Sequence, residues 1–173
     1  MKEQDSPAWF SAPRYYTQVR GGAADPVTVF EIPDNVEVSS EQPGTPILHL
    51  EPGSRLVRVT DVDGQERGII RSEGILPRTK YAMRRDGAAV WVLRSRSLVL
   101  KRHALTHGSA EWIFDTPFFW WQQLAGTCDG AQRLGGSLLA PTKRLWFLWV
   151  EPGRDTHDLL AAVAFMHRNW WRS

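Results

Sequence analysis

Cysteine is nearly absent from this sequence, and its scarcity excludes two kinds of protein. Cys128 is the only cysteine among 173 residues. The chain therefore forms no intrachain disulfide, and a metal site built on paired cysteines is excluded. Long apolar runs are missing as well. The longest, Leu159 to Met166, has eight residues, whereas a helix that spans a bilayer needs about 20.

Signals for secretion and for phosphate binding are also lacking. The first seven residues, MKEQDSP, carry no apolar run behind their basic start, so we do not expect a secretory signal. We therefore expect a cytoplasmic protein. Gly21-Gly22 and Gly135-Gly136 have neither the spacing nor the Lys-Ser/Thr ending of a phosphate-binding loop. Such glycines are typical of bends and bulges in a curved sheet.

Tryptophan, by contrast, is abundant. The chain has nine, and eight of them lie after residue 90. Because large aromatic side chains each bury much area, the second half of the chain can support a heavy core. The length suits one domain with a core of good size.

Charge is distributed unevenly along the chain. Residues 1–54 carry 3 basic and 8 acidic side chains, residues 55–115 carry 12 and 7, and residues 116–173 carry 6 and 4. The middle third is therefore electropositive. A basic face of this kind attracts anionic lipid, nucleic acid or an acidic protein surface. A solvated sheet face is an equally good interpretation.

From residue 55 onward, the pattern predicts an antiparallel β structure. Short alternating segments are separated by turn signals at Asp63-Gly64, Asp86-Gly87 and Asp129-Gly130, as in sandwiches and barrels. Residues 1–54 contain seven prolines and are predicted to form an extended arm, with one strand at 27–32, packed on the barrel. The strands predicted beyond the arm cover 55–60, 68–71, 79–85, 88–94, 96–105, 111–115, 133–139 and 144–150, and 118–127 is ambiguous between strand and helix.

The C-terminal segment predicts what the sheet encloses. A surface helix shows a polar residue every third or fourth position, but the apolar run after Asp158 shows none for two turns, so it is buried on every side. In a β protein of this size, wrapping a curved sheet around the helix achieves that burial. The fold class is therefore a closed antiparallel β-barrel, residues 55–173, around a buried helix formed by Leu159, Leu160, Ala161, Ala162, Val163, Ala164 and Phe165.

The strand Leu145–Val150 is apolar on both faces. An antiparallel strand with one face in water alternates apolar and polar residues instead. We therefore expect this strand to be covered on both sides.

With these features the chain resembles the tubby C-terminal-like superfamily, which includes phospholipid scramblases and LURP-one-related proteins. The similar segments are Val59-Thr60-Asp61-Val62-Asp63-Gly64, the hairpin at residues 81–87, and the closing helix at residues 158–165, within a region of roughly 55–171. The resemblance implies a closed barrel around a hydrophobic C-terminal helix, and binding of phosphoinositides through basic residues. The acidic segment at residues 61–66 lacks the twelve-residue ligand spacing of an EF-hand, so a calcium-dependent scramblase activity is not expected.

Six cations form the densest basic group. A hairpin at Asp86-Gly87 is expected to bring its flanking arginines together on one rim of the barrel, where they suit phosphate groups. A solvated surface is an equal alternative. The six candidates for an anionic ligand are Arg84, Arg85, Arg94, Arg96, Lys101 and Arg102.

Catalytic and metal-binding arrangements are not expected. His103 and His107 lie on a predicted strand, where positions four apart are about 13 Å from each other, too far to share an ion with Glu111. No nucleophile signature surrounds Cys128, so a loop or core thiol is the better interpretation. We expect no catalytic residue, no metal and no cofactor.

Four consecutive aromatic residues, Phe118 to Trp121, have two interpretations. Outward-facing aromatics can form a membrane or partner surface. They can also be covered by the N-terminal arm, which carries Trp9, Phe10, Tyr15 and Tyr16, and this second interpretation is favoured.

Together these patterns predict a non-enzymatic binding protein. The expected partner is an anionic phospholipid or another anionic molecule at the basic rim, which makes the protein peripheral to a membrane. A protein-interaction module or assembly subunit that uses exposed aromatics is the alternative, and an enzyme is a third hypothesis. Nucleic acid is not an expected partner.

Overall fold

A computed structural model describes most of the chain as strands of one sheet followed by a helix. It describes residues 12–19, 26–33, 44–73, 80–95, 102–115, 123–140, 145–151 and 156–170. The elements are β1 (Arg14–Val19), β2 (Val27–Ile32), β3 (Thr45–Pro52), β4 (Leu56–Asp61), β5 (Glu66–Ser72), β6 (Lys80–Arg85), β7 (Ala88–Ser95), β8 (Arg102–His107), β9 (Ala110–Asp115), β10 (Gln123–Cys128), β11 (Ala131–Ala140), β12 (Leu145–Val150) and α1 (Thr156–Trp170).

The sheet closes on itself. Each strand pairs antiparallel with the next one along the chain, and β1 pairs with β12, where Tyr16 lies opposite Phe147. The result is a closed twelve-stranded barrel, so the predicted fold class is confirmed. In segment 118–127, which the sequence left ambiguous, residues 123–127 belong to strand β10, and residues 118–122 lie outside the described residues.

The helix α1 occupies the interior. Every residue from Leu159 to Met166 is at most 3% exposed, and the helix contacts β1, β2, β3 and β7. It is longer than the predicted segment, because it begins at Thr156 and extends past the apolar run to Trp170. In the described part of the chain, no helix is long and apolar enough to cross a membrane.

Two hairpin turns follow directly from the sequence. In the turns at Asp86-Gly87 and Asp129-Gly130, both residues have positive φ, between 52° and 79°. This is the type I′ geometry that Asp-Gly favours. The turn after β4 differs, because the Asp61 carboxylate accepts hydrogen bonds from the backbone N–H groups of Asp63 and Gln65, at 3.0 and 2.9 Å.

These turns define two ends of the barrel. The end that carries the turns at Asp63-Gly64, Asp86-Gly87, Gly108 and Asp129-Gly130 is called the turn end, and α1 begins there. The opposite end, where β6 and β8 begin and β7 finishes, is called the loop end. Strand direction alternates around the barrel, so a residue's position in its strand tells which end it occupies.

Residues 1–54 contribute three strands to the barrel itself, where the sequence predicted an arm packed on it with a single strand at 27–32. Strand β3 was missed because prolines occur at both of its ends. Pro46 lies opposite Phe30 where the β2–β3 register shifts, and an irregularity of this kind is where a sheet accepts proline.

The sequence predicted cover on both faces of β12, but only its inner face is fully buried, because Phe147 and Trp149 on the outer face are half-buried. Its inward residues Trp146, Leu148 and Val150 belong to the main core. On the outside, Leu145 packs in a second cluster with Tyr16 of β1 and with residues of β2. The adjacent Tyr15 belongs to the main core. The two tyrosines therefore lie on opposite faces of β1, and only Tyr16 packs on the outer face of the barrel. The aromatics at positions 9, 10 and 118–121 lie outside the described residues.

Candidate functional site

Arg85 lies at the turn end of the barrel with its side chain 40% exposed, and it bonds to the start of the enclosed helix. Its Nη2 donates a hydrogen bond to Asp158 Oδ1 at 2.7 Å, and its Nε donates to the carbonyl of Arg67 at 2.7 Å. Asp158 lies in the first turn of α1 and is only 4% exposed. A buried carboxylate needs such a partner, and a negative charge also suits the N-terminal end of a helix. Arg85 therefore fixes the start of the helix.

Arg84 faces outward beside the Asp86-Gly87 turn and already forms an ion pair with a carboxylate. Its Nε donates to Glu73 Oε1 at 2.6 Å, and its Nη1 donates to the carbonyl of Gly87 at 3.1 Å. The hydrogen bond and charge of Glu73 raise the pKa of Arg84, and the hydrogen bond from Arg84 lowers the pKa of Glu73. The cation is therefore locally compensated.

The predicted single rim does not form, because the hairpin register separates its members. Arg84 and Arg85 lie opposite Ala89 and Ala88 at the turn end, whereas Arg94 lies opposite Lys80 at the loop end. Lys80 and Arg84 are four residues apart, about 13 Å along a strand. In a hairpin, residues at equal distances from the turn lie opposite each other. Arg94 is farther from the Asp86-Gly87 turn than Arg84 is, so the prediction that they share one rim was wrong. Arg96 and Lys101 lie outside the described residues.

A different set of cations is adjacent on the outer face. Lys80 is directly opposite Arg94. Arg71 is opposite Ala82, two positions from Lys80 on the same face, and Arg102 is two positions from Ala104, the partner of Arg94. Each neighbouring pair is therefore in direct or diagonal contact range across β5 to β8. We call Arg71, Lys80, Arg94 and Arg102 the basic strip.

Counter-charges cover only part of the basic strip. Arg102 forms a bidentate ion pair with Asp115, in which Nε donates to Oδ1 at 2.6 Å and Nη2 donates to Oδ2 at 3.2 Å. The Nζ of Lys80 lies 3.9 Å from Glu73 Oε2. Within the described part of the chain, Arg71 and Arg94 form no ion pair. The strip thus holds four cations against two carboxylates. Like charges directly opposite each other destabilise a sheet, so the Lys80–Arg94 pair has a cost that an anion would relieve.

A groove on the other side of the barrel was not foreseen from the sequence. It lies on the outer face of β10, β11 and β12 and has a volume of about 390 Å³. The indole of Trp149 lies across Gly135, where a Cβ atom would be only 2.3 Å from the indole nitrogen. Glycine at this position therefore lets the indole pack directly against β11. We call this cavity the indole groove, and it is lined by Gln123, Leu124, Ala125, Gln132, Gly135, Gly136, Ser137, Phe147 and Trp149.

The sequence did contain a signal for the indole groove, but only the register makes it visible. Gly135 lies opposite Ala125 on one side and Trp149 on the other. Two small residues beside a tryptophan leave a hollow on a sheet face. The double glycine had been interpreted only as a bend or bulge.

His167 is a buried ionisable group inside the barrel. It is fully buried, its Nδ1 lies 2.8 Å from the hydroxyl oxygen of Thr17, and its ring centre is 5.2 Å from that of Trp146. Burial lowers the pKa of His167 from 6.5 to about 3, because charging the imidazole would require water that the core excludes. His167 is therefore neutral at physiological pH.

Metal-ligand geometry is absent from the described residues. Glu111 lies opposite Thr106, so it faces away from His103 and His107, which occupy the other face of β8. Across the described ranges no three His, Cys, Asp or Glu side chains lie close enough to hold an ion. Cys128 is 1% exposed, and burial of this kind is typical of a structural thiol.

The basic strip and the indole groove are thus two candidate binding features on the surface of the described residues. Both rest on the geometry of this chain alone. No protein-family model, no curated protein and no solved structure matches it.

Proposed function

We propose that this chain is a non-enzymatic binding protein that attaches to anionic phospholipid surfaces through the basic strip. The observation that carries the proposal is the direct cross-strand pairing of Lys80 with Arg94. Two cations held side by side on a sheet cost stability in the free protein. Phosphate groups on a membrane would relieve this repulsion and accept hydrogen bonds from both side chains.

The surroundings of the pair agree with this partner. Arg71 and Arg102 extend the positive surface to both sides, and Arg71 and Arg94 are exposed. Basic side chains near an anionic leaflet each contribute about 1 kcal/mol to attachment. Arg96 and Lys101 follow Arg94 in the chain before β8 begins, so the sequence supplies two further cations to the same connection.

The resemblance to the tubby C-terminal-like superfamily supports the same proposal, since basic residues on those barrels bind phosphoinositides. The alternative of a protein-interaction module depended on exposed aromatics. Those aromatics, Phe118 to Trp121, lie outside the described residues, and among the described residues Val62 is the only large hydrophobic side chain that is exposed.

Vesicle flotation tests the proposal. The unmodified protein should float with vesicles that contain phosphatidylserine and stay behind with pure phosphatidylcholine. The variant Lys80→Ala/Arg94→Ala removes two cations of the strip, and we expect binding to weaken by about 30-fold, which is two contributions of roughly 1 kcal/mol. Added salt should weaken binding further, because exposed charges are screened.

The matched control is Arg58→Ala/Arg84→Ala. It removes the same charge from the outer face but outside the strip, from two arginines that are paired with Glu66 and Glu73. Binding of this control should stay within a few-fold of the unmodified protein. Equal loss in both double variants, or no flotation of the unmodified protein at low salt, would contradict the proposal.

A further inference from the structure

The indole groove is lined by two aromatic side chains, and one of them packs closely against the neighbouring strand. Trp149 and Phe147 both project outward from β12, and the indole of Trp149 rests against Gly135 on the neighbouring strand. A ring held this way loses little freedom when a ligand stacks on it. The electron-rich face of an indole attracts the weakly positive C–H groups of an apolar ring face. This part of the groove therefore suits a ligand that has one flat face of C–H groups.

The remaining polar groups of the groove are neutral groups that both donate and accept hydrogen bonds. Gln123 and Gln132 bring amides, and Ser137 brings a hydroxyl. The Nε2 of Gln132 donates to the carbonyl of Leu134 at 3.3 Å, which orients this amide. An amide oxygen accepts, an amide nitrogen donates, and a hydroxyl does both. Ligand hydroxyls, which also do both, match such a set.

Charge and size narrow the ligand class further. None of the described residues that line the groove is charged. An ionised ligand would therefore lose water without gaining a counter-charge. A volume of about 390 Å³ lies at the lower end of the range typical of small-molecule sites, about 300–1,000 Å³. One or two pyranose rings fit this description, because each has a C–H face and several hydroxyls.

We propose that the indole groove is a binding site for a neutral saccharide of one or two rings, stacked on Trp149 and hydrogen-bonded by Gln123, Gln132 and Ser137. The site is distinct from the basic strip, since it occupies β10 to β12 while the strip crosses β5 to β8. It does not depend on whether the strip binds phospholipid.

The test is a titration followed by nuclear magnetic resonance of the full chain. The probes are maltose, cellobiose, lactose and N,N′-diacetylchitobiose, each raised to about 10 mM so that millimolar affinities are detected, together with a printed array of neutral glycans. At least one probe should shift the indole N–H signal of Trp149 and the side-chain amide signals of Gln123 and Gln132. Trp149→Ala and Gly135→Ala, which remove or displace the ring, should each weaken binding at least tenfold.

Two further variants keep the result interpretable. Gln123→Ala changes an exposed side chain and should weaken binding several-fold even if the ring variants do not fold. Thr106→Ala, on the outer face of β8, should leave affinity unchanged. The proposal is overturned if no glycan on the array binds the protein and no saccharide in the panel shifts these signals. It is equally overturned if binding survives Gln123→Ala and Trp149→Ala unchanged, or if a neutral peptide binds the groove and the saccharides do not.

Discussion

The buried imidazole of His167 couples the stability of this protein to pH. Its folded-state pKa is about 3, whereas an unfolded chain protonates histidine near 6.5. The unfolded state therefore binds more protons between these two values, so this contribution to stability is complete above pH 6.5 and is lost as pH falls toward 3. We expect the free energy of unfolding to fall by about 1 kcal/mol per pH unit in that window from this group alone.

Urea unfolding at several pH values measures this slope. Carboxylates also titrate in the lower part of the window, so the comparison is between the unmodified protein and His167→Gln, which has no proton to gain. The variant should show a shallower dependence on pH between 6.5 and 4.5. Identical slopes would mean that His167 is accessible to water in the folded state.

At the scale of elements, the enclosure of α1 leaves no free direction around it. Leu160 and Ala162 are both 0% exposed. Leu160→Asp would bury a charge without water or partner, at a cost of several kcal/mol, against about 5–15 kcal/mol for the whole fold. Ala162→Leu adds volume to a helix that cannot move outward and should cost roughly 1–3 kcal/mol. Yield in the soluble fraction and urea unfolding measure the two effects.

The matched control for the charge is Val62→Asp. Val62 lies in the turn after β4 and is 55% exposed, so this variant should fold as the unmodified protein does. A stable, folded Leu160→Asp protein together with an unaffected Ala162→Leu protein would be incompatible with a helix surrounded by strands.

The elements differ in how well the sequence predicted them, and the reason is physical. The run Leu159–Met166 and the Asp86-Gly87 and Asp129-Gly130 turns are local signals, because burial on every side and positive φ each select residue types directly. Strand β3 was not predicted because its prolines favour a loop, and only pairing with β2 at a register shift explains Pro46.

Sites composed of several strands were predicted less well than single elements. The prediction that Arg84, Arg85 and Arg94 form one rim was wrong, because closeness to the same turn in sequence does not place residues close together in space. Lys80 opposite Arg94, and Gly135 opposite Trp149, depend on pairing register. Register is set by the whole sheet, and a shift of one residue sends every side chain to the other face.

At the scale of the whole molecule, the N-terminal strands are essential to closure. Removing residues 1–33 deletes β1 and β2, which leaves β12 and β3 with unpaired edges and exposes one side of α1. We expect the truncated protein to aggregate or to bind the dye ANS, since exposed edges and apolar surface promote both. Size-exclusion chromatography and ANS fluorescence measure this.

A milder deletion provides the comparison. Removing residues 1–11 leaves β1 intact, since that strand begins at Arg14, and this shorter truncation should elute and bind ANS as the unmodified protein does. If the 1–33 deletion also eluted without aggregation and kept an unchanged melting temperature, the first two strands would be dispensable and the barrel would not need them to close.

The closure of β1 on β12 has a consequence for the timing of folding. Tyr16 meets Phe147, a partner about 130 residues later in the chain, and the helix that fills the interior follows the last strand. During synthesis, the eleven hairpin-linked pairings can form before either event, but they can produce only an open sheet whose apolar face has nothing to cover it. Contacts between residues so distant in sequence form slowly, and such intermediates are prone to aggregate. A ribosome must therefore release the chain as far as β12 before β1 can pair along both of its edges, and as far as α1 before the interior is filled. We expect closure around the helix to be the slow step of folding.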